Sequence, residues 1–122
     1  MRNRPLIRIL VIEDEPMIAL GLAELLIASG FLVAVVTAKL AKALAIIELG
    51  VLDAAIVDAN LGGVSAGPAG AALESKGLPY LVLSGYSREQ QAGAFPGAAI
   101  FMQKPFVPDR LIQALSGIVS SH

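Results

Sequence analysis

Cysteine is absent from the 122 residues, which excludes disulfides, thiolate metal sites and a cysteine nucleophile. Histidine occurs once, as His122 at the extreme C-terminus, so neither a Ser-His-Asp triad nor a multi-histidine metal centre has the residues to form. Charged residues are scarce, at 16%, and nearly balanced, with a net charge of −1. Without a basic excess, direct binding to DNA or RNA is not expected. No G-x-G-x-x-G or P-loop pattern occurs, and Gly62-Gly63 reads as a turn rather than a phosphate loop. Apolar residues, by contrast, make up 56% of the chain, which excludes a disordered polymer. The length suits one domain spanning residues 1–122, and a chain of this size buries about two-thirds of its unfolded surface.

The apolar excess raises the question of a membrane. Met17 to Val36, interrupted by Glu24 and Ser29, is long enough in principle to span a bilayer. Gly30, however, stands where a helix would stop, and Phe31 to Val36 is strand-like, so helix, glycine, strand is expected and no membrane span. The N-terminus is basic, but Leu6 to Ile12 runs straight into Glu13-Asp14-Glu15. That run is too short for a signal-peptide core and lacks its small-residue cleavage site. A cytoplasmic location is expected.

Strand and helix signals alternate along the chain. Leu6 to Ile12 is a near-continuous apolar run with β-branched residues, the pattern of a strand buried on both faces. Pro16 suits the first turn of a helix running to about Ser29, with Asp14 and Glu15 near its positive end. Phe31 to Val36 reads as a second strand, with Thr37 as N-cap of a helix over Ala38 to Leu49. Ala54 to Val57 is a third strand, and Leu61 to Gly67 a glycine-rich loop before a weak helix, Ala69 to Ser75. Tyr80 to Leu83 is a fourth strand, Arg88 to Ala94 a polar helical segment, Ala98 to Met102 a fifth strand, and Pro108 to Val119 a final helix. Five strands with helical crossovers predict an α/β fold: a doubly wound, five-stranded parallel sheet with helices on both faces.

In such a sheet ligands sit outside the carboxyl ends of the strands. Those ends carry Glu13-Asp14, Asp58, Ser84 and Lys104. Three carboxylates held together repel one another, and protonation or a divalent cation relieves the repulsion. An all-oxygen, solvent-facing site suits Mg²⁺, which keeps several waters and binds beside phosphate oxygens. A lysine adds a point charge for an anion and a serine adds a hydroxyl donor. Together they equip the chain for phosphoryl transfer onto Asp58.

The sequence resembles a response-regulator receiver domain of two-component signalling. The resemblance runs from Ile7 to about Val119 and rests on Ile9 to Pro16, Ile56 to Leu61, Leu83-Ser84-Gly85-Tyr86 and Lys104-Pro105-Phe106. It is similar in particular to a single-domain subgroup whose fourth strand ends Phe-Ala-Thr-Gly-Tyr, although Leu83 and Ser84 stand here in place of Ala and Thr. The resemblance implies a flavodoxin-like strand order 2-1-3-4-5. It implies that Asp58 is the phosphoacceptor, Asp14 a direct Mg²⁺ ligand, Glu13 its partner through water, and the Asn60 carbonyl a backbone ligand. Ser84 would be the hydroxyl that moves to meet the phosphoryl group and Lys104 the lysine that pairs with it, at a Lys104-Pro105 bond that is cis in receivers. Phe101 stands at the switch-aromatic position and is read either as a rotameric switch or as an ordinary strand residue. The resemblance places Tyr86 and Asn60 at positions that in receivers influence acyl-phosphate hydrolysis; Tyr86 is read either as tuning that rate or as an ordinary surface tyrosine.

The first helix, from Met17 to Ala28, has Glu24 as its only charge and is apolar nearly all round. Receivers dock on a histidine kinase or histidine phosphotransfer protein partly through this helix, which makes Met17, Ile18 and Leu22 candidate docking residues; the other reading is a helix covered by its neighbours. The expectation is a stand-alone phosphoacceptor that forms and loses its own aspartyl phosphate without being a conventional turnover enzyme. It would signal to a protein partner through the last two strand–helix units, which also offer a route to a homodimer, or serve as a phosphate sink. The alternative is a non-phosphorylated pseudo-receiver that binds partners constitutively. An aspartyl-phosphate phosphatase commonly needs a second acid two residues past the nucleophile, and Asn60 stands there.

Overall fold

The computed structural model describes residues 6–86 and 92–120. In chain order the elements are β1 (Arg8–Ile12), α1 (Pro16–Ala28), β2 (Leu32–Thr37), α2 (Leu40–Glu48), β3 (Ala54–Asp58), β4 (Asn60–Leu61), β5 (Val64–Ser65), α3 (Gly67–Ser75), β6 (Tyr80–Ser84), a 3₁₀ turn (Ala92–Ala94), β7 (Ile100–Gln103) and α4 (Pro108–Ser120). Five strands pair in parallel in the order β2-β1-β3-β6-β7. With the β4–β5 hairpin set aside, this is the expected flavodoxin-like order.

Burial follows position in the sheet. The central strands β3 and β6 are buried at every residue, and β1 at all but Arg8, whereas the edge strand β2 alternates between exposed and half-buried residues up to its buried last residue, Thr37. A central parallel strand is covered by helices on both faces and reads as a continuous apolar run, while an edge strand shows the two-residue period. Leu10, Ile12, Ala55, Val57, Tyr80 and Val82 point to one face, where they join Ala43 and Ile47 of α2 and Ala69 and Leu73 of α3. Ile9, Val11, Ala54, Ile56, Leu81 and Leu83 point to the other, against Leu22 and Leu26 of α1 and Leu111, Leu115 and Ile118 of α4. The two-sided cover expected of a doubly wound sheet is therefore present.

Four local expectations are revised. Residues expected to form a loop between Leu61 and Gly67 instead include β5 of an antiparallel hairpin, paired Asn60 with Ser65 and Leu61 with Val64. Thr37 does not cap α2. It ends β2 opposite Ile12, and its hydroxyl accepts the Lys39 N–H at 3.1 Å, which leaves Lys39 as the N-cap residue. Helix α3 begins at Gly67 rather than Ala69, with proline in its first turn, where the fixed φ of that residue is already helical. The last strand is shifted to Ile100–Gln103. The expected Arg88 to Ala94 helix falls largely outside the described residues, and its described end is the 3₁₀ turn. Helix α1 stops at Ala28, and Gly30, at φ +91°, turns the chain into β2 through a left-handed conformation that glycine adopts without steric cost. Among the described residues no helix is long and apolar enough to cross a membrane.

Candidate functional site

The carboxyl ends of β1, β3, β6 and β7 meet at one edge of the sheet because all four strands run parallel. Asp58 is the last residue of β3 and pairs with Leu83 of β6. Its side chain is buried. Glu13 continues the line of β1, donating its N–H to the Thr37 carbonyl at 3.0 Å, and its buried carboxylate accepts the Glu15 N–H at 3.0 Å. Asp14 is exposed at the mouth. Carboxylate oxygens from Glu13, Asp14 and Asp58 all lie within 4.8 Å of one another. Lys104 follows β7, and its backbone N–H donates to the Ser84 carbonyl at 2.7 Å. Its Nζ reaches back to Glu13 Oε1 at 2.9 Å and Asp58 Oδ2 at 3.5 Å. The Lys104-Pro105 bond is cis, as the resemblance implies.

The electrostatics follow from this crowding. Asp58 is pushed up to about 7, first by burial, then by its hydrogen bond with Asp14 and by the charge and hydrogen bonding of Glu13, with Lys104 pulling the other way. Asp14 is held below the usual carboxylate range, chiefly by the hydrogen bond from Asp58; burial opposes this, while backbone N–H groups including that of Gly62 support it. Of the pair, Asp58 therefore binds a proton far more readily than Asp14. For Lys104, burial alone would lower the ammonium, but the Glu13 hydrogen bond and the charges of Asp58 and Glu13 outweigh it and raise the group. Repulsion among carboxylates this close is relieved by a proton or by a divalent cation. The three acids thus have the chemistry and spacing to hold Mg²⁺.

Glu13, Asp14, Asp58 and Lys104 are brought together as expected. Ser84 is buried at the end of β6, with its Oγ accepting the Tyr86 N–H at 3.0 Å. Among the described residues no hydrogen bond joins it to Asp58. Asn60 donates its N–H to Asp58 Oδ1 at 3.4 Å, and its side-chain oxygen accepts the Gly63 N–H at 2.6 Å. The Tyr86 side chain is exposed. Phe101 is half-buried on β7 and meets Phe95 edge-to-face, with ring centroids 6.3 Å apart. Of the candidate docking residues, Met17 is 73% exposed and Ile18 half-buried. Leu22 is a correction: at 1% exposure it belongs to the core beneath α1, because a helix apolar all round still turns one stripe onto the sheet. Leu20 and Ile27, at 55% and 63% exposure, are surface residues of α1 that reading overlooked.

Two features escaped the sequence reading. One is the β4–β5 hairpin beside Asp14, although a Gly-Gly pair between Leu61 and Val64 is itself a hairpin signal. The other is a brace at the far end of β6. The Tyr80 hydroxyl donates to Glu74 Oε2, which also accepts the Gly97 N–H at 3.0 Å, tying the end of α3 and the start of β6 to the segment before β7.

Comparison with known proteins agrees with this geometry. The response regulator receiver domain family matches residues 9–116. SdrG from Sphingomonas melonis Fr1 is similar at 35% identity and TM-score 0.79, over 93% of this chain and 97% of that one. A receiver domain protein (CheY-like) from Methanospirillum hungatei JF-1 is similar at 22% identity and TM-score 0.87, over 96% of each chain. A response regulator receiver protein from Sinorhizobium medicae WSM419 shares the fold at 24% identity and TM-score 0.84, over 94% of this chain and 95% of that one. No curated protein matches the sequence. With its sheet order, its acidic pocket and most of its length matched by a single family, the chain belongs to the response-regulator receiver domains.

Proposed function

We propose that the protein accepts a phosphoryl group on Asp58 from the phosphohistidine of a histidine kinase or histidine phosphotransfer protein, in a Mg²⁺-dependent reaction. The observation that carries this reading is the convergence of Glu13, Asp14 and Asp58 within 4.8 Å beside Lys104. An Asp58 oxygen attacks phosphorus, the P–N bond to the donor imidazole breaks, and the aspartyl phosphate forms. Glu13, Asp14, Asp58 and the Asn60 carbonyl would hold Mg²⁺, which when bound neutralises charge on the phosphoryl oxygens. Lys104 contacts both Glu13 and Asp58 and can exchange the Asp58 contact for a phosphoryl oxygen. Ser84 adds a buried hydroxyl on the neighbouring strand. Recruitment of these two groups shifts β6, β7 and α4, with Phe101 inside the moving unit and Tyr86 at its exposed edge, where it tunes hydrolysis. The altered surface signals to a protein partner in the cytoplasm or forms a homodimer; without such an output the protein acts as a phosphate sink.

Incubation with Mg²⁺ and acetyl phosphate, followed by intact mass, tests the chemistry. One added phosphoryl group is expected on the wild type, and none on Asp58→Ala or with Mg²⁺ chelated. An unmodified wild type that also fails to bind beryllofluoride in the presence of Mg²⁺ would replace this reading with the constitutive-binding pseudo-receiver.

Docking is assigned to α1. Exposed Met17 and Leu20 lie on this helix, and Ile18, Gly21, Leu22 and Leu25 line an apolar groove of about 360 Å³ with Phe106 and Pro108. In this groove Leu22 contributes floor rather than surface. Met17→Asp is expected to slow phosphotransfer from the protein donor by roughly tenfold, the loss of one interface anchor. Labelling by acetyl phosphate should remain unchanged, since the small donor needs no docking. Equal losses with both donors would place the effect in the fold rather than in the interface.

A further inference from the structure

The β4–β5 hairpin takes no part in the parallel sheet, yet it is held firmly. Leu61 is buried in the same cluster as Ala59 and Ala66, and the Ala66 N–H closes the base of the hairpin on the Ala59 carbonyl at 3.0 Å. Asn60 Oδ1 grips the Gly63 N–H at 2.6 Å from within. At the turn, Gly62 and Gly63 have φ of +60° and +91°, the two left-handed residues of a type I′ turn.

The hairpin touches two of the three acids. A methyl group on Gly62 would lie 3.6 Å from Asp14 Oδ2, which places the turn directly against that carboxylate. At the other end Asn60 reaches Asp58 Oδ1 through its N–H at 3.4 Å. A connection from β3 to α3 needs neither a braced turn nor contact with the pocket.

We propose that the hairpin is a positioning element of the acidic pocket: its braced two-glycine turn sets the place of the Asp14 carboxylate relative to Asp58 and the Asn60 carbonyl, and thereby the affinity for a divalent cation. The inference rests on the metal site proposed above. Asn60 has two separable roles in it, a main-chain carbonyl at the site and a side chain that braces the turn, and Gly62 is a positioning residue that acts through Asp14.

Calorimetric titration of the full chain with Mg²⁺ tests this, with Gly62→Asn, Gly62→Val and Asn60→Ala beside the wild type. Asn-Gly is a favoured type I′ pair, whereas a β-branched residue resists positive φ. Gly62→Asn should keep the wild-type Kd within about twofold, while Gly62→Val and Asn60→Ala should weaken it by about tenfold or more, as loss of outer-shell support for metal ligands does. Asn60→Ala retains the main-chain carbonyl, so its loss reports the brace alone, and it decides the matter if Gly62→Val does not fold. Thermal unfolding without metal separates the roles: a merely structural hairpin lowers the midpoint but leaves Kd unchanged, and that result would overturn the proposal. A wild type that binds no Mg²⁺ would instead overturn the metal site itself.

Discussion

Lys104→Met is expected to destabilise the protein by about 3 kcal/mol at neutral pH, the scale for removing one partner of a buried ion pair. The lysine side chain is 21% exposed, whereas those of Glu13 and Asp58 are 1% and 7% exposed. Methionine keeps much of the aliphatic stem but removes the cation at 2.9 Å from Glu13 Oε1. The acids then lose their only ion-pair partner among the described residues, and water cannot easily replace it. The loss should shrink in an Asp58→Asn background, because fewer negative charges then need neutralising, and a double-mutant cycle by urea unfolding measures that coupling. Strict additivity would mean that Lys104 and Asp58 do not interact. The same variant should lose the response of β6 and β7 to phosphorylation, since its link to the phosphoryl group is gone.

Asp58→Asn is expected to stabilise the metal-free protein at pH 8 by about 2 kcal/mol, against an upper bound of roughly 4 kcal/mol set by the full difference between the free and folded carboxyl. The sign follows from the raised pKa. Folded Asp58 holds its proton up to about pH 7, whereas an unfolded carboxyl releases it near 3.8. The folded state binds more protons between those values, so the stability that Asp58 contributes is fully present below about pH 4. It is lost progressively as the pH rises to 7 and stays lost above that. Asparagine does not ionise and escapes the loss, so the two proteins should converge at pH 4 and separate by pH 8 when thermal midpoints are compared in chelator. Mg²⁺ should then raise the wild-type midpoint more than that of Asp58→Asn, because the ion favours the ionised acids. Parallel midpoint curves from pH 4 to 8 would show that Asp58 carries no such penalty.

Legibility varied along the chain for physical reasons. The buried strands β1, β3 and β6 announce themselves because cover on both faces demands continuous apolar runs such as Ile9 to Ile12 and Tyr80 to Leu83. The alternation of strands with helical crossovers then dictates a parallel sheet, and a parallel sheet puts Glu13, Asp14, Asp58, Ser84 and Lys104 at one edge. Harder to read were features decided by partners distant in the chain. The same apolar signal in α1 cannot distinguish Leu22, sealed against the sheet, from Leu20, exposed on the surface, because the sequence shows the composition of a helix and not which stripe its neighbours cover.

The sequence by itself therefore determined the parallel sheet and the residues gathered at the carboxyl ends of its strands, since periodicity and crossover handedness are local consequences of chain stereochemistry, while the order of the strands came from the family resemblance. Only the tertiary structure decided how those residues share charge. Asp58 binds a proton more readily than Asp14, Lys104 divides itself between Glu13 and Asp58, and the Gly62 turn rests on Asp14. Each of these depends on distances of a few ångströms between segments far apart in the chain, and at that range burial and Coulomb interaction change steeply with geometry.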